Sequence, residues 1–284
     1  MAFDSSSAYT LARKETLRFA LGPNMYNGGT TGRQSKWLDT MSNANGSASG
    51  NSRLIPAQTY SAEVVAQSGG AWFQNSMTGF YRFSTYDGTA GTSMCITKTA
   101  LITNARNFGA VVIDRIWHGG SWSATSAAFS VPSLTMPRSF DPKQTMLFMG
   151  ALGDPGATVP TSFSIGYIDG SGVSRTGFWS MNPSYSSTLL SGELYPALTP
   201  GGITRLTSWS YPGSVNVWLY WLIVEPKCIV TMEKQAKGRS NLLTALTTVR
   251  TSDCLDILLF KTDNSSTFPN PIGCVVCDVE VSVK

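Results

Sequence analysis

Histidine occurs once, at His118, and this sets the first limit on what the chain can do chemically. A Ser-His-Asp relay or a histidine-based metal site has to pass through this residue. It stands in Trp117-His118-Gly119-Gly120-Ser121-Trp122, after a run rich in β-branched residues. To act as a general base it would need a nucleophile such as Ser121 or Ser123 and an orienting acid such as Asp114. A partly exposed imidazole at a strand end is the plainer expectation. The five cysteines are Cys95, Cys228, Cys254, Cys274 and Cys277. An odd number, in a chain that starts Met-Ala-Phe-Asp-Ser-Ser-Ser with no apolar leader, argues for reduced thiols rather than a disulfide framework. Cys274-Val275-Val276-Cys277 has Cys-x-x-Cys spacing, but residues three apart on a regular strand face opposite ways. With Cys228 and Cys254 they could make a four-thiolate zinc site only if that strand were broken. Small apolar core side chains are the preferred expectation. The carboxylates are scattered, although a sheet could bring two together, for instance Asp114 and Glu225, at the spacing a glycosidase needs. No Gly-x-Ser-x-Gly elbow and no phosphate loop ending in Gly-Lys-Ser/Thr is present. The glycine pairs Gly119-Gly120 and Gly201-Gly202 read as turns. The sequence thus offers no catalytic, cofactor-binding or metal-ligating set, and a non-enzymatic role is expected.

Eight tryptophans are the other conspicuous side chains. Trp218 and Trp221 belong to the continuous apolar run Val215–Val224 and are expected in the core. Trp117, Trp122, Trp179 and Trp209 lie near Gly, Ser or Asn; core packing is the first expectation for each, and they are also the candidates for surface aromatics. There they would anchor a protein–protein interface or stack on the sugar rings of a glycan.

The elements that must position these residues are mostly strands. Short runs with β character recur at 60–66, 78–86, 92–97, 109–117, 129–131, 145–151, 162–168, 173–179, 215–224, 228–232, 255–261 and 273–283. Asp169-Gly170-Ser171-Gly172 is a hairpin turn signal, and the last run alternates Val275, Cys277, Val279 and Val281 with more polar neighbours. Ala8–Leu21 has helix-forming residues up to Gly22-Pro23 and reads as a short helix. Ser240–Val249 reads as a second helix capped by Ser240. Asn24–Gly50 is rich in Gly, Ser and Asn and reads as a linker. The expected fold is mainly β: an antiparallel β-sandwich or jelly-roll-like body over 59–284, with an N-terminal arm over 1–58 containing the short helix. A subdivision of the body near residue 226 is compatible with the pattern.

Charged residues make up 13% of the chain, about half the ordinary fraction, and Ser and Thr take their place. A hydroxyl-rich surface suits a protein covered by neighbours, because hydroxyls cost less to bury than charges. The net charge of +4 is diffuse. Neither Arg13-Lys14-Arg18 nor Lys234-Lys237-Arg239 has the density of a nucleic-acid footprint. No apolar run approaches the roughly 20 residues of a membrane-spanning helix.

In this texture of few charges, many Ser, Thr and Gly, scattered Trp and successive short strands, the chain resembles virion structural proteins of tailed bacteriophages. The resemblance implies a structural subunit of a virus particle, such as a capsid-decorating, tail or fibre-base component. It would be made in the host cytoplasm and located in the virion. Its partners would be copies of itself, other virion proteins and, in the alternative reading of a receptor-binding module, a host-surface glycan. No cofactor, specific nucleic acid or membrane partner is implied.

Overall fold

The computed structural model describes residues 10–21, 37–39, 71–72, 92–105, 107–123, 128–131, 138–152, 162–180, 193–210, 218–231, 238–242, 247–263 and 273–283. In chain order their strands are β1 (Thr10–Leu21), β2 (Trp37–Asp39), β3 (Ala71–Trp72), β4 (Thr92–Thr103), β5 (Phe108–Ser123), β6 (Ala128–Ser130), β7 (Met146–Leu152) and β8 (Ser162–Ile168). There follow β9 (Ser174–Ser180), β10 (Glu193–Ala197), β11 (Arg205–Ser210), β12 (Trp218–Thr231), β13 (Gly238–Leu242), β14 (Thr247–Thr248), β15 (Leu255–Lys261) and β16 (Gly273–Val283). Every pairing among them is antiparallel. The mainly β, antiparallel, sandwich-like body expected from the sequence is what forms.

The middle layer is a sheet in the order β12-β7-β10-β2-β15-β5-β3, in which β12 also pairs with β5. That extra pairing closes six strands into a ring. Side chains alternate across its wall. Val111, Ile113, Phe148, Leu194, Tyr220, Leu222, Val224 and Leu258 fill the inside. The outside is covered on two flanks. Phe108, Ala110, Val112, Val230, Leu255, Ile257 and Leu259 pack against Leu17, Phe19, Leu101, Val275, Cys277 and Val279 of the sheet β1-β16-β4-β13. Ile116, Leu147, Met149, Tyr195, Trp221 and Ile223 pack against Phe163, Ile165, Tyr167, Leu206 and Trp209 of the sheet β6-β11-β8-β9.

Strand β12 serves all three cores. Register shifts beside β5 at Leu219/Trp221, Ile223/Val224 and Pro226/Cys228 turn its side chains from one core to the next. It runs on through Pro226, so the two separate runs expected at 215–224 and 228–232 are one strand. The stretch Tyr220–Val224 is buried throughout, as its unbroken apolar character requires.

Two expectations, both of helix, are corrected. Residues 10–21 are not a helix but β1, zipped to β16 from Thr10↔Val283 to Leu21↔Gly273. Leu17, Phe19 and Leu21 are buried while Thr16 and Arg18 are exposed, a period of two that pairing with β16 selects over helix propensity. Residues 240–242 are likewise strand, in β13 on the edge of β4. Of the described residues in 1–58, β1 belongs to an outer sheet, and β2, from the Gly/Ser/Asn-rich stretch, fills the gap between β10 and β15. The strands expected at 60–66 and 78–86 lie outside the described residues.

Candidate functional site

The chemistry-bearing residues gather in two buried ionic clusters, one inside the ring and one beside its wall. The first is built on Arg115, fully buried on β5. Its Nε donates to Asp256 of β15 and its Nη2 to Asp39 of β2, with a second bond from Nη1 to Asp39 Oδ2 at 3.2 Å. The Tyr220 hydroxyl donates to the same Asp39 oxygen at 3.1 Å, and the His118 ring stacks on the Tyr220 ring at 4.7 Å and 10°. His118 is therefore interior rather than a partly exposed strand-end group. Burial pushes its pKa down to about 3, with Asp39 pulling up and Arg115 pushing down, so the ring stays neutral.

The second cluster ties β5 and β12 to the turns before β7 and β15. Arg138 grips Asp114 with two bonds of 2.7 Å, and the Cys254 amide donates to Asp114 Oδ1 at 2.7 Å. Lys227 bridges Glu225 and Asp253, both at 2.9 Å. Arg250 reaches Glu225 at 2.8 Å and Asp253 at 3.5 Å. Three carboxylates thus face three cations. Burial drives the Asp114 carboxyl up to about 6, opposed by its bonds to Arg138 and reinforced by neighbouring Asp253.

The pair Asp114 and Glu225 suggested by the sequence does come together, as direct cross-strand partners on β5 and β12. Their oxygens are already engaged. Both Asp114 oxygens accept from Arg138, and Glu225 Oε1 accepts from Lys227 while Oε2 accepts from Arg250 and the Asp141 amide. A glycosidase acid must offer its proton to a leaving group. This arrangement instead holds strands and turns together. His118 and Asp114 belong to different clusters, so the relay considered above does not assemble; the side chains of Ser121 and Ser123 lie outside the described set.

The cysteines also separate. Cys228 and Cys277 enter the core under the β1-β16-β4-β13 sheet, and Cys254 enters the core of the ring. Cys274 is half-buried. Burial pushes the Cys228 thiol up to about 11 and raises Cys254 and Cys277 as well, which keeps the sulfurs protonated. No group of three or more metal-ligating side chains occurs among the described residues.

Of the four candidate surface tryptophans, Trp117 and Trp209 are core residues, so the surface role considered for them is corrected in favour of the first expectation. Trp209 is the deeper of the two. It is 1% exposed and packs 5.9 Å from Trp221 and 6.3 Å from Phe163, ring centre to ring centre. The Ser residues around it in β11 face the other side of the strand, which is why its neighbourhood looked polar in sequence. The side chains of Trp122 and Trp179 lie outside the described set. Among the described residues, the exposed aromatic is Phe178, 79% exposed on β9.

Phe178 belongs to a surface the sequence did not single out. The outer face of the β6-β11-β8-β9 sheet carries rows Ser130–Ser208–Gly166–Thr176 and Ser210–Ser164–Phe178, read across the register. One further row, Arg205–Ile168–Ser174, holds the charge on these rows. Alternation in β8 was the available signal: Phe163, Ile165 and Tyr167 point in, Ser162, Ser164 and Gly166 out.

No family model and no curated protein matches the chain. Among solved structures, the crystal structure of infectious bursal disease virus VP2 subviral particle is matched with 10% sequence identity, over 100% of this chain and 83% of that one, at a TM-score of 0.16. The likeness of texture to tailed-bacteriophage proteins has no counterpart in these comparisons. The architecture stands on its own strand order.

Proposed function

We propose that this protein is a non-enzymatic structural subunit of a virus particle that works by self-association and by docking to other virion proteins. The observation that carries the reading is where the chain places its few charges. Asp39, Asp114, Asp169, Glu193, Glu225, Asp253, Asp256 and Asp278 are all buried, eight of the 17 acidic residues. A chain already poor in charge thereby leaves its surface poorer still. The outer β6-β11-β8-β9 face, with its hydroxyls, glycine and one exposed phenylalanine, is the local expression of this. Such a face is cheap to desolvate beneath a neighbour, since interface cores are depleted of charge and enriched in aromatics.

The buried ionic clusters suit the same role. They cross-link the ring to its flanking turns and offer rigidity rather than a reactive group. Rigid subunits lose little entropy on docking. The test is the native mass of the purified chain by light scattering on a sizing column. A discrete ring or closed oligomer supports the reading and gives its symmetry. A monomer at every concentration, with no retention on particles lacking this subunit, refutes it.

A further inference from the structure

We infer that the edge of β9 that pairs with no described strand is where two copies of this chain join, their β9 strands running antiparallel across a twofold axis; the inference rests on the subunit reading above and names its contact. Strand β9 pairs with β8 through an unbroken register, Ser162↔Ser180 to Ile168↔Ser174. Its other edge pairs with no described strand. Residues 171–176 and Phe178 are exposed, and the ring of Phe178 stands 79% in solvent.

Edges left open in stand-alone proteins are normally blunted by lysine, proline, a bulge or an inward charge. Ser174–Ser180 has no lysine, proline or bulge, and its single charge, Arg175, lies on the core-facing side opposite Tyr167. That inward charge is neutralised by the carboxylate of the chain's own Asp169 at 2.9 Å, so it repels an incoming strand less than an unpaired one would. An open strand edge accepts another strand, because its amides and carbonyls alternate along a line that only extended backbone matches.

Charge selects which strand. An acidic partner would find Arg175 already paired and no other cation on β9, whereas a second β9 meets neutral residues with neutral residues. An axis through Arg175 would set two arginines opposite each other and is disfavoured. An axis through Gly177 sets Ser174 opposite Ser180, Arg175 opposite Trp179 and Thr176 opposite Phe178 of the second copy. The two Phe178 rings are then diagonal neighbours on one face, within aromatic reach. The product is one eight-stranded sheet made of two four-stranded halves, with the hydroxyl faces continuous across it. A seven-residue edge buries less than the roughly 1,200–2,000 Å² of a standard stable interface. The dimer is therefore concentration-dependent, and other contacts in a particle would reinforce it.

The experiment is sedimentation equilibrium of the full chain from micromolar to near-millimolar concentration, with amide exchange of 174–180 measured at both ends of the range. The expected result is a mass rising from one copy towards two, with slower exchange in β9 at high concentration. Phe178→Lys and Thr176→Lys should each weaken dimerisation by about tenfold or more, the effect of roughly 1.4 kcal/mol. Both side chains are exposed, so the thermal midpoint and near-UV spectrum should match wild type. A discrete oligomer whose β9 amides exchange equally at all concentrations, or variants that associate like wild type, overturns the β9 contact and leaves the subunit reading standing. A monomer throughout overturns the β9 contact and the self-association claim together.

Discussion

The sole histidine gives the sharpest test of the interior. His118 is held neutral against Tyr220, with a pKa near 3, whereas in the unfolded chain it titrates near 6.5. A base whose folded pKa is depressed removes stability as pH falls below the unfolded value, because the unfolded chain takes up a proton that the folded one refuses. The loss approaches about 1.4 kcal/mol per pH unit, or about 2 kcal/mol at pH 5. Asp114 acts in the opposite sense. Its folded pKa of about 6 lies above the unfolded 3.8, so acidification through 6 relieves a burial penalty and returns stability, on the order of 1 kcal/mol at pH 5. The two effects oppose each other in the wild type, so its own pH profile understates the histidine's part. The contrast with His118→Gln isolates the histidine, since every other group is shared. Urea unfolding at pH 8, 7, 6 and 5 should show the stability difference, wild type minus H118Q, falling by about 2 kcal/mol across the range. A difference that stays flat would mean that His118 titrates alike in both states, and the interior placement would be refuted. The imidazole resonance, unique in the spectrum, gives an independent reading: it should show no transition between pH 8 and 5.

Other perturbations follow from the same contacts. Removing the guanidinium in Arg138→Met leaves the Asp114 carboxylate buried without its bidentate partner and should cost about 3–5 kcal/mol at pH 8. Acidification should restore part of that loss as Asp114 protonates, and the double variant R138M/D114N should be pH-insensitive by comparison, both read from urea midpoints. Trp209→Ala should destabilise by about 3–5 kcal/mol through the cavity left beside Trp221 and Phe163, visible in thermal unfolding; a surface tryptophan would leave the midpoint unmoved. A methyl group at Gly150 would run into the Tyr220 ring, so Gly150→Ala should lower stability by about 1–3 kcal/mol and perturb the His118 resonance through the stacked pair.

Much of the β architecture could be read in the chain. Leu255–Lys261 and Gly273–Val283 were legible to the residue, because a buried apolar run and a clean period of two leave little choice of element. The first strand was not. Ala8–Leu21 carries residues that favour a helix in isolation, and the partner that makes it a strand lies at the other end of the sequence. β2 was hidden for a related reason: three residues in a polar stretch make no pattern, yet they complete a ring. The ionic clusters left a faint trace. Asp114 and Arg115 stand together inside the apolar run Gly109–Trp117, and charges in a strand covered on both faces have to be paired. What no local pattern could supply was the identity of the partners, Asp39, Arg138 and Asp256, which arrive from distant segments. Trp209 was a surface candidate only because its sequence neighbours are polar; on a strand those neighbours point to the opposite side, so polar company along the chain says nothing about the company of the side chain.

The pairing of β1 with β16 bears on how the molecule comes into being. Thr16 and Asp278, joined by a 2.8 Å hydrogen bond, are 262 positions apart. β16 lies between β1 and β4 and pairs with both, so neither early strand has its central neighbour until almost the whole chain has been synthesised. At the rates of translation this wait is on the order of 15–60 s. The β8–β9 hairpin, closed by the five residues between Ile168 and Ser174, can form long before then. The order of maturation thus runs opposite to the order of synthesis: a central hairpin first, the sheet that uses the first strand last. A nascent chain with half-built sheets and an open hairpin edge is exposed to wrong partners throughout that interval, so correct production of this protein depends as much on delaying encounters between unfinished chains as on the stability of the finished one.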